Sequence, residues 1–212
     1  MDSCSLPAFR QELLLWYGAA RRRLPWRDNL DSYRVWISEV MLQQTTVKTV
    51  VPYYEKFLGA FPTVADLAAA PIDQVLSRWS GLGYYSRARN LHAAARVIVR
   101  DHGGRFPTGP EEALALPGVG AYTAAAILSI AHGLPMAVVD GNVARVLARL
   151  LAIRGPIKSS AVRKRLWTSA AVFLDPSAPG DFNQAMMELG ATVCTPKSPL
   201  CGECPVASWC EA

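Results

Sequence analysis

An all-α fold is predicted for this 212-residue chain by three observations. Apolar residues recur at three- and four-residue intervals along most of its length, alternating strand patterns are hard to find, and there is no fixed repeat or low-complexity segment. A chain of this length makes one large domain or two small ones. Its 51% hydrophobic and 18% charged residues exclude a disordered or fibrous chain.

Taken in order, Phe9, Leu13, Trp16 and Ala20 form a first helical stripe, and Tyr33, Trp36, Ile37, Val40 and Met41 a second. Further helices are read over 64–69, 71–79 and 86–102, the last stopped by Gly103 and Gly104. The remaining ones cover 110–116, 122–131, 141–153, 160–173 and 182–193. Composition breaks near 27–31 and 133–135 mark the boundaries. The longest charge-free stretch, 113–139, is interrupted by Pro117, Gly118, Gly120, Gly133 and Pro135. Its continuous apolar part, 122–131, is half of the roughly 20 residues a membrane span needs, so no membrane association is expected. No apolar signal core follows the N-terminus, which makes a cytosolic location the expectation.

Lys and Arg number 22 against 17 Asp and Glu, a net charge of +5 that favours a polyanionic partner only weakly. The basic residues cluster at Arg21, Arg22, Arg23 and Arg27, at Arg87 and Arg89 behind a glycine turn, and at Arg163, Lys164 and Arg165. Any one such cluster is most simply a solvated helix end.

Cys194, Cys201, Cys204 and Cys210 have the spacing C-x6-C-x2-C-x5-C, with Cys4 a distant bystander. Four clustered thiols in a chain without an export signal read as metal ligands. By spacing alone, zinc and an iron–sulfur cluster remain equally open. Leu116-Pro117-Gly118-Val119-Gly120 joins two apolar helices in a tight hairpin whose glycines expose backbone N–H groups, a shape suited to one phosphate oxygen. Alone, it would equally be a simple helix connection.

Two carboxylates stand out by environment. Glu39 is flanked by Trp36, Ile37, Val40, Met41 and Leu42 with no basic residue three or four positions away, so its carboxyl is expected to be pushed up and to serve as a general acid. Asp140 follows the apolar run 137–139 and stands at the N-cap position before Gly141, where helix N–H groups favour the ionised form. One protonated and one charged acid is the division of labour that breaks glycosidic bonds.

The strings Leu24-Pro25-Trp26-Arg27, Ser38-Glu39-Val40-Met41-Leu42-Gln43-Gln44-Thr45, Gly81-Leu82-Gly83-Tyr84-Tyr85, LPGVG, Val139-Asp140-Gly141-Asn142-Val143 and the cysteine tail together resemble the MutY adenine DNA glycosylases. That family lies in the helix-hairpin-helix superfamily that also contains endonuclease III. The match runs in family order from about Leu24 to Cys210. SEVMLQQT and the cysteine spacing are its most specific parts.

The resemblance implies a two-lobed helix-hairpin-helix fold, with a six-helix lobe over 29–133 and a second lobe made of 1–28 and 134–212. The second lobe would carry a 4Fe-4S cluster on the four cysteines. Double-stranded DNA with a mismatch or lesion is the implied partner, bound by a monomer in a bacterial-type, nucleoid-associated setting. Adenine opposite 8-oxoguanine or guanine would be flipped from the stack and excised. Glu39 matches the acid that protonates adenine N7, and Asp140 the carboxylate that stabilises the sugar cation. Tyr122 and Asn142 match residues around that centre. Gln44 and Tyr84 match residues wedged into the duplex, Gly118 and Gly120 belong to the phosphate-binding hairpin, and Arg27 is expected to contact DNA.

Superfamily members that also cut the backbone carry Lys at position 122 for a Schiff base, which Tyr122 cannot form, so an abasic product is expected. Short glycosylases acting on thymine opposite guanine share that tyrosine, but Gln43 and Gln44 in their context favour adenine. A silent DNA-binding module would need neither acid. Longer MutY relatives continue into a C-terminal domain that recognises 8-oxoguanine; this sequence lacks that domain, either as a short form or as a piece of a longer chain.

Overall fold

A computed structural model describes residues 5–212 and shows an all-helical chain, with no strand among the described residues. Cys4 lies outside the described residues. The helices are α1 (Leu6–Ala20), α2 (Ser32–Leu42), α3 (Val47–Ala60), α4 (Val64–Ala69), α5 (Ile72–Trp79), α6 (Ser86–Asp101), α7 (Pro110–Leu114), α8 (Ala121–His132), α9 (Gly141–Leu150), α10 (Ser160–Phe173) and α11 (Pro179–Thr192). Two 3-10 turns, Cys201–Glu203 and Ala207–Trp209, follow in the tail.

The chain divides into two compact units. Arg23–His132 forms one; the other joins Gly133–Ala212 to the N-terminal segment ending at Arg22. Residues 23–28 group with the central unit because Trp26 is buried and packs edge-on against Tyr54, 5.4 Å between ring centroids.

In the central unit, α2 is buried on every side, its residues from Val35 to Met41 all being inaccessible, and it packs against α3, α6 and α8. Trp36, Phe57 and Trp79 fill the core, with Phe57 edge-on to both Phe61 and Trp79. Helix α6 ends as the sequence predicts: Gly103 and Gly104 take positive φ, and the amides of His102 and Gly104 both donate to the Ile98 carbonyl. Helix α3 has no counterpart in the sequence reading. Pro52 sits inside it and interrupts the pattern, yet it lies on the exposed side, where water can satisfy the carbonyl that its missing N–H leaves free. Thr46 caps α3, and Val50, Tyr54, Phe57 and Leu58 bury its inner face.

In the other unit, the buried stripe of α1 is Phe9, Leu13 and Tyr17. It drifts from the stripe read in the sequence: Ala20 is exposed and Trp16 only half-buried. Phe9 meets Phe173 and Trp209 edge-on at 5.0 and 5.8 Å, which ties the start of the unit to the cysteine tail. Glu188 is fully buried and takes a forked ion pair from Arg22, 2.7 Å to each carboxylate oxygen, plus the Arg22 backbone amide. Arg22 therefore spends its charge internally, unlike the solvated cluster read in the sequence. No helix among the described residues is long and apolar enough to cross a membrane.

Candidate active site

In the central unit, Glu39 is the eighth residue of α2, with 6% of its surface exposed. The Tyr122 hydroxyl, from the first turn of α8, donates to Glu39 Oε2 at 2.8 Å. A second link runs from Gln43 Nε2, at the C-terminal cap of α2, to Thr123 Oγ1 in α8 at 3.3 Å. Acid and phenol are thus held by two rigid helices, and their geometry does not depend on a loop.

The LPGVG segment forms the turn between α7 and α8. Leu116 and Val119 are buried and anchor it, and the Val119 amide closes the turn onto the Leu116 carbonyl. Its two glycines serve different ends. Gly118 has φ of 74°, and a Cβ there would lie 2.6 Å from Asn90 Cβ, so backbone and space both require glycine. Gly120 has nothing within 4 Å of where its Cβ would be, which leaves its backbone open at the start of α8.

Gln44 and Tyr84 are exposed and lie on separate corners, the first after α2 and the second before α6. Both have positive φ, 58° and 47°. Arg27 is half-buried in a turn closed by its own amide to the Leu24 carbonyl.

The other unit holds the second carboxylate. Asp140 caps α9: its Oδ1 accepts from the Val143 amide at 2.7 Å and its Oδ2 from Asn142 Nδ2 at 2.9 Å. Those donors favour the charged form, as the sequence suggests. Burial outweighs them, and the carboxyl lies above the ordinary aspartate range. The expectation of a carboxyl held down by its helix terminus is corrected on that point.

Arg145 extends this site. Its guanidinium donates to Asn142 Oδ1 at 2.9 Å, to the Gly190 carbonyl at 2.7 Å and to the Cys194 carbonyl at 2.8 Å. A continuous polar chain therefore links Asp140, Asn142, Arg145 and the first cysteine. Gly190 permits it, since a Cβ there would lie 2.6 Å from Asn142 Cβ. Asn183 fixes the approach to Asp140 by donating to the Met136 carbonyl and accepting from the Val138 amide. Sequence reading does not find Arg145, Asn183 or Gly190. Only the close crossing of α9 and α11 gives them their roles.

Cys194, Cys201, Cys204 and Cys210 are free thiols, two half-buried and two exposed. Burial pushes the Cys204 thiol up, and the three others add to this, so all four share one electrostatic neighbourhood. Among the described residues, however, no three metal-binding side chains gather tightly enough to hold one ion. Four thiols and no histidine in one short tail are a donor set that suits a cluster, which spreads its thiolates over separate irons. Arg149 adds a compensating cation, donating to Cys194 Sγ at 3.3 Å and to the Thr195 and Pro196 carbonyls.

Residues 37–171 match the HhH-GPD superfamily of base excision DNA repair proteins. The chain belongs to this superfamily. Residues 194–210 match the iron–sulfur binding domain of endonuclease III, and the chain carries a 4Fe-4S cluster there. Among superfamily relatives, the chain is 52% identical over 220 residues to the adenine DNA glycosylase of Homo sapiens, covering 100% of this chain and 40% of the human protein. It is 44% identical to that of Schizosaccharomyces pombe, covering 96% of this chain and 49% of the yeast protein. For Buchnera aphidicola subsp. Schizaphis graminum the figures are 41%, 96% and 59%. The chain thus spans about 40 to 59% of the length of these curated relatives. A solved thermostable thymine-DNA glycosylase superposes with a TM-score of 0.88 at 32% identity, covering 98% of this chain and 96% of that one. A trapped endonuclease III–DNA covalent intermediate shares the fold, with TM-score 0.81, 23% identity, and 100% and 96% coverage.

The purified protein is expected to be brown, with broad absorbance near about 400 nm and stoichiometric iron, the signature of thiolate-bound iron. Metal analysis checks this. A colourless protein loaded with zinc would contradict the cluster.

Proposed function

We propose that this chain is a monofunctional adenine DNA glycosylase that hydrolyses the N-glycosidic bond of adenine mispaired with 8-oxoguanine or guanine in double-stranded DNA. The observation that carries the reading is the buried Glu39 carboxyl bonded to Tyr122 at 2.8 Å, in a chain 41 to 52% identical to three adenine DNA glycosylases. The thymine enzyme matches the fold as fully, but at 32% identity.

In this reading Glu39 gives its proton to N7 of the extruded adenine as the C1′–N9 bond breaks. Tyr122 holds the carboxyl in place. The electron pair of the bond leaves with adenine, and positive charge develops on the sugar. Asp140 is assigned the anion that stabilises that charge. Its burial makes the ionised form costly before reaction, a cost that a neighbouring cation relieves, so the stabilisation is greatest in the transition state. Asn142 and Arg145 fix its orientation. Water then adds to C1′, giving free adenine and an abasic site. Tyr122 carries no amine to trap the opened sugar, which supports an uncut strand as product.

Cys194, Cys201, Cys204 and Cys210 would hold the cluster, which cross-links a tail that has little core of its own. Gln44 and Tyr84 would enter the duplex beside the extruded base, and the hairpin and Arg27 would contact the backbone. The chain supplies both acids and the hairpin itself, so one copy suffices per lesion.

The hairpin reading separates its two glycines. Gly120→Val is expected to cost no more than about 1 kcal/mol of stability, as a lost helix N-cap does. It should nonetheless weaken matched and mismatched duplexes equally, by about tenfold, because backbone contacts carry no sequence information. Gly118→Val, strained and clashing with Asn90, is expected to lose about 2 kcal/mol or more. Thermal unfolding and duplex titration check both. A loss confined to one mismatch would contradict the backbone role.

Function is tested by incubating the protein with duplexes holding adenine opposite 8-oxoguanine, adenine opposite guanine and thymine opposite guanine, followed by alkali. Breaks at the adenine positions after alkali are expected. Breaks only at thymine would establish the thymine activity instead.

A further inference from the structure

Arg87 is read from the sequence as one of a basic pair behind a glycine turn, most simply a solvated helix end, yet it is 8% exposed and turned inward. Its guanidinium donates to six acceptors drawn from two segments of the central unit. On the side of α2 these are the carbonyls of Val40 (3.0 Å), Met41 (2.9 Å) and Gln43, and Thr45 Oγ1 (3.2 Å). On the side of the turn before α6 they are the carbonyls of Leu82 (3.1 Å) and Gly83 (3.3 Å). The group also lies over two rings, 5.3 Å from the Trp79 centroid and 5.5 Å from that of Tyr84. Trp79 Nε1 shares the Gly83 carbonyl at 3.1 Å.

The acceptors include the carbonyls immediately before Gln44 and Tyr84, two of the three non-glycine residues with positive φ among the described residues. The carbonyl of the preceding residue belongs to the peptide plane about which φ turns. Holding that oxygen fixes one side of the φ rotation. Left-handed backbone is disfavoured for residues with a Cβ, so neither corner would stay in this conformation without such a hold. Both corner side chains are exposed, Tyr84 by 60%.

We propose that Arg87 is the positioning residue that holds Gln44 and Tyr84 in left-handed backbone from one buried guanidinium, so that the two corners engage mismatched DNA as a single unit. The proposal rests on the reading that both corners enter the duplex. Arg87 itself touches no base or phosphate in it. The planar fork matters: a lysine ammonium has three donors on a point charge and cannot serve six acceptors in two directions.

The test is Arg87→Lys in the iron-loaded protein, with the exposed Arg96→Lys of the same helix as control. Amide exchange over 43–45 and over 82–85 is expected to accelerate together, by about tenfold, while α8 keeps its protection. Affinity for matched duplex should stay within about twofold, whereas the preference for an adenine mismatch should fall about tenfold, a change of about 1.4 kcal/mol. Acceleration at only one corner, or none, would overturn the coupling. If Arg87→Lys fails to fold, Thr45→Val removes one acceptor at the first corner and is read at the second: faster exchange over 82–85 supports the shared hold, and unchanged exchange contradicts it. Gln44→Ala and Tyr84→Ala decide the underlying reading separately. If both keep the full mismatch preference, the corners do not engage the base pair, and the exchange result still settles what Arg87 holds.

Discussion

Glu39→Gln is expected to bind mismatched duplex within a few-fold of the parent while base excision falls by about a hundredfold to ten-thousandfold, the worth of a positioned general acid. The amide keeps the size of the side chain and can still meet the Tyr122 hydroxyl, so α2 and α8 stay in register. It has no proton to give to adenine at neutral pH. Single-turnover excision and equilibrium binding on the same duplex separate the two effects. A variant that lost binding and excision in parallel would show that Glu39 only supports the fold. A nucleoside whose base leaves without protonation should be excised by Glu39→Gln at a partly restored rate.

Asp140→Asn should fail in the opposite way. Asparagine caps helices about as well as aspartate, so the first turn of α9 survives, but the anionic charge assigned to sugar stabilisation is gone. Excision is expected to fall by about 100 to 1,000-fold, with no rescue by the easier leaving group. Stability should move the other way. Because burial raises the Asp140 carboxyl above its unfolded value near about 3.9, the folded parent carries the cost of an ionised group at neutral pH. The variant escapes that cost and should unfold at an equal or higher temperature at pH 7. As pH falls through the raised folded value to the unfolded one, the parent protonates, its penalty fades and the difference closes. A variant less stable than the parent at pH 7, with a deficit that shrinks as pH is lowered to about 3.9, would contradict the sign of this shift.

Much of the fold is legible because its helices obey local rules. The stop of α6 at Gly103 and Gly104 and the cap of α9 by Asp140 follow from residue types at fixed positions. Helix α3 escapes the reading because Pro52 breaks the pattern at a position where exposure makes it harmless. The stripe of α1 shifts because Phe173 and Trp209, far away in sequence, choose which side of the helix is covered. The same distinction governs the site. Glu39 announces itself by an apolar helix without nearby bases, whereas Arg87 looks like a surface charge until its six acceptors are seen. The balance at Asp140 is also not local: capping groups lie within three residues, but the burial that outweighs them comes from the tertiary fold.

The most direct test of the account is the base set free. The protein would be incubated under single-turnover conditions with a duplex holding adenine opposite 8-oxoguanine, and with one holding thymine opposite guanine. Released bases would be measured by mass spectrometry, and strand integrity read without alkali. Free adenine in amounts equal to the first duplex, an uncut strand and no free thymine are the predicted result. Release of thymine without adenine, or a strand cut before alkali, would contradict it.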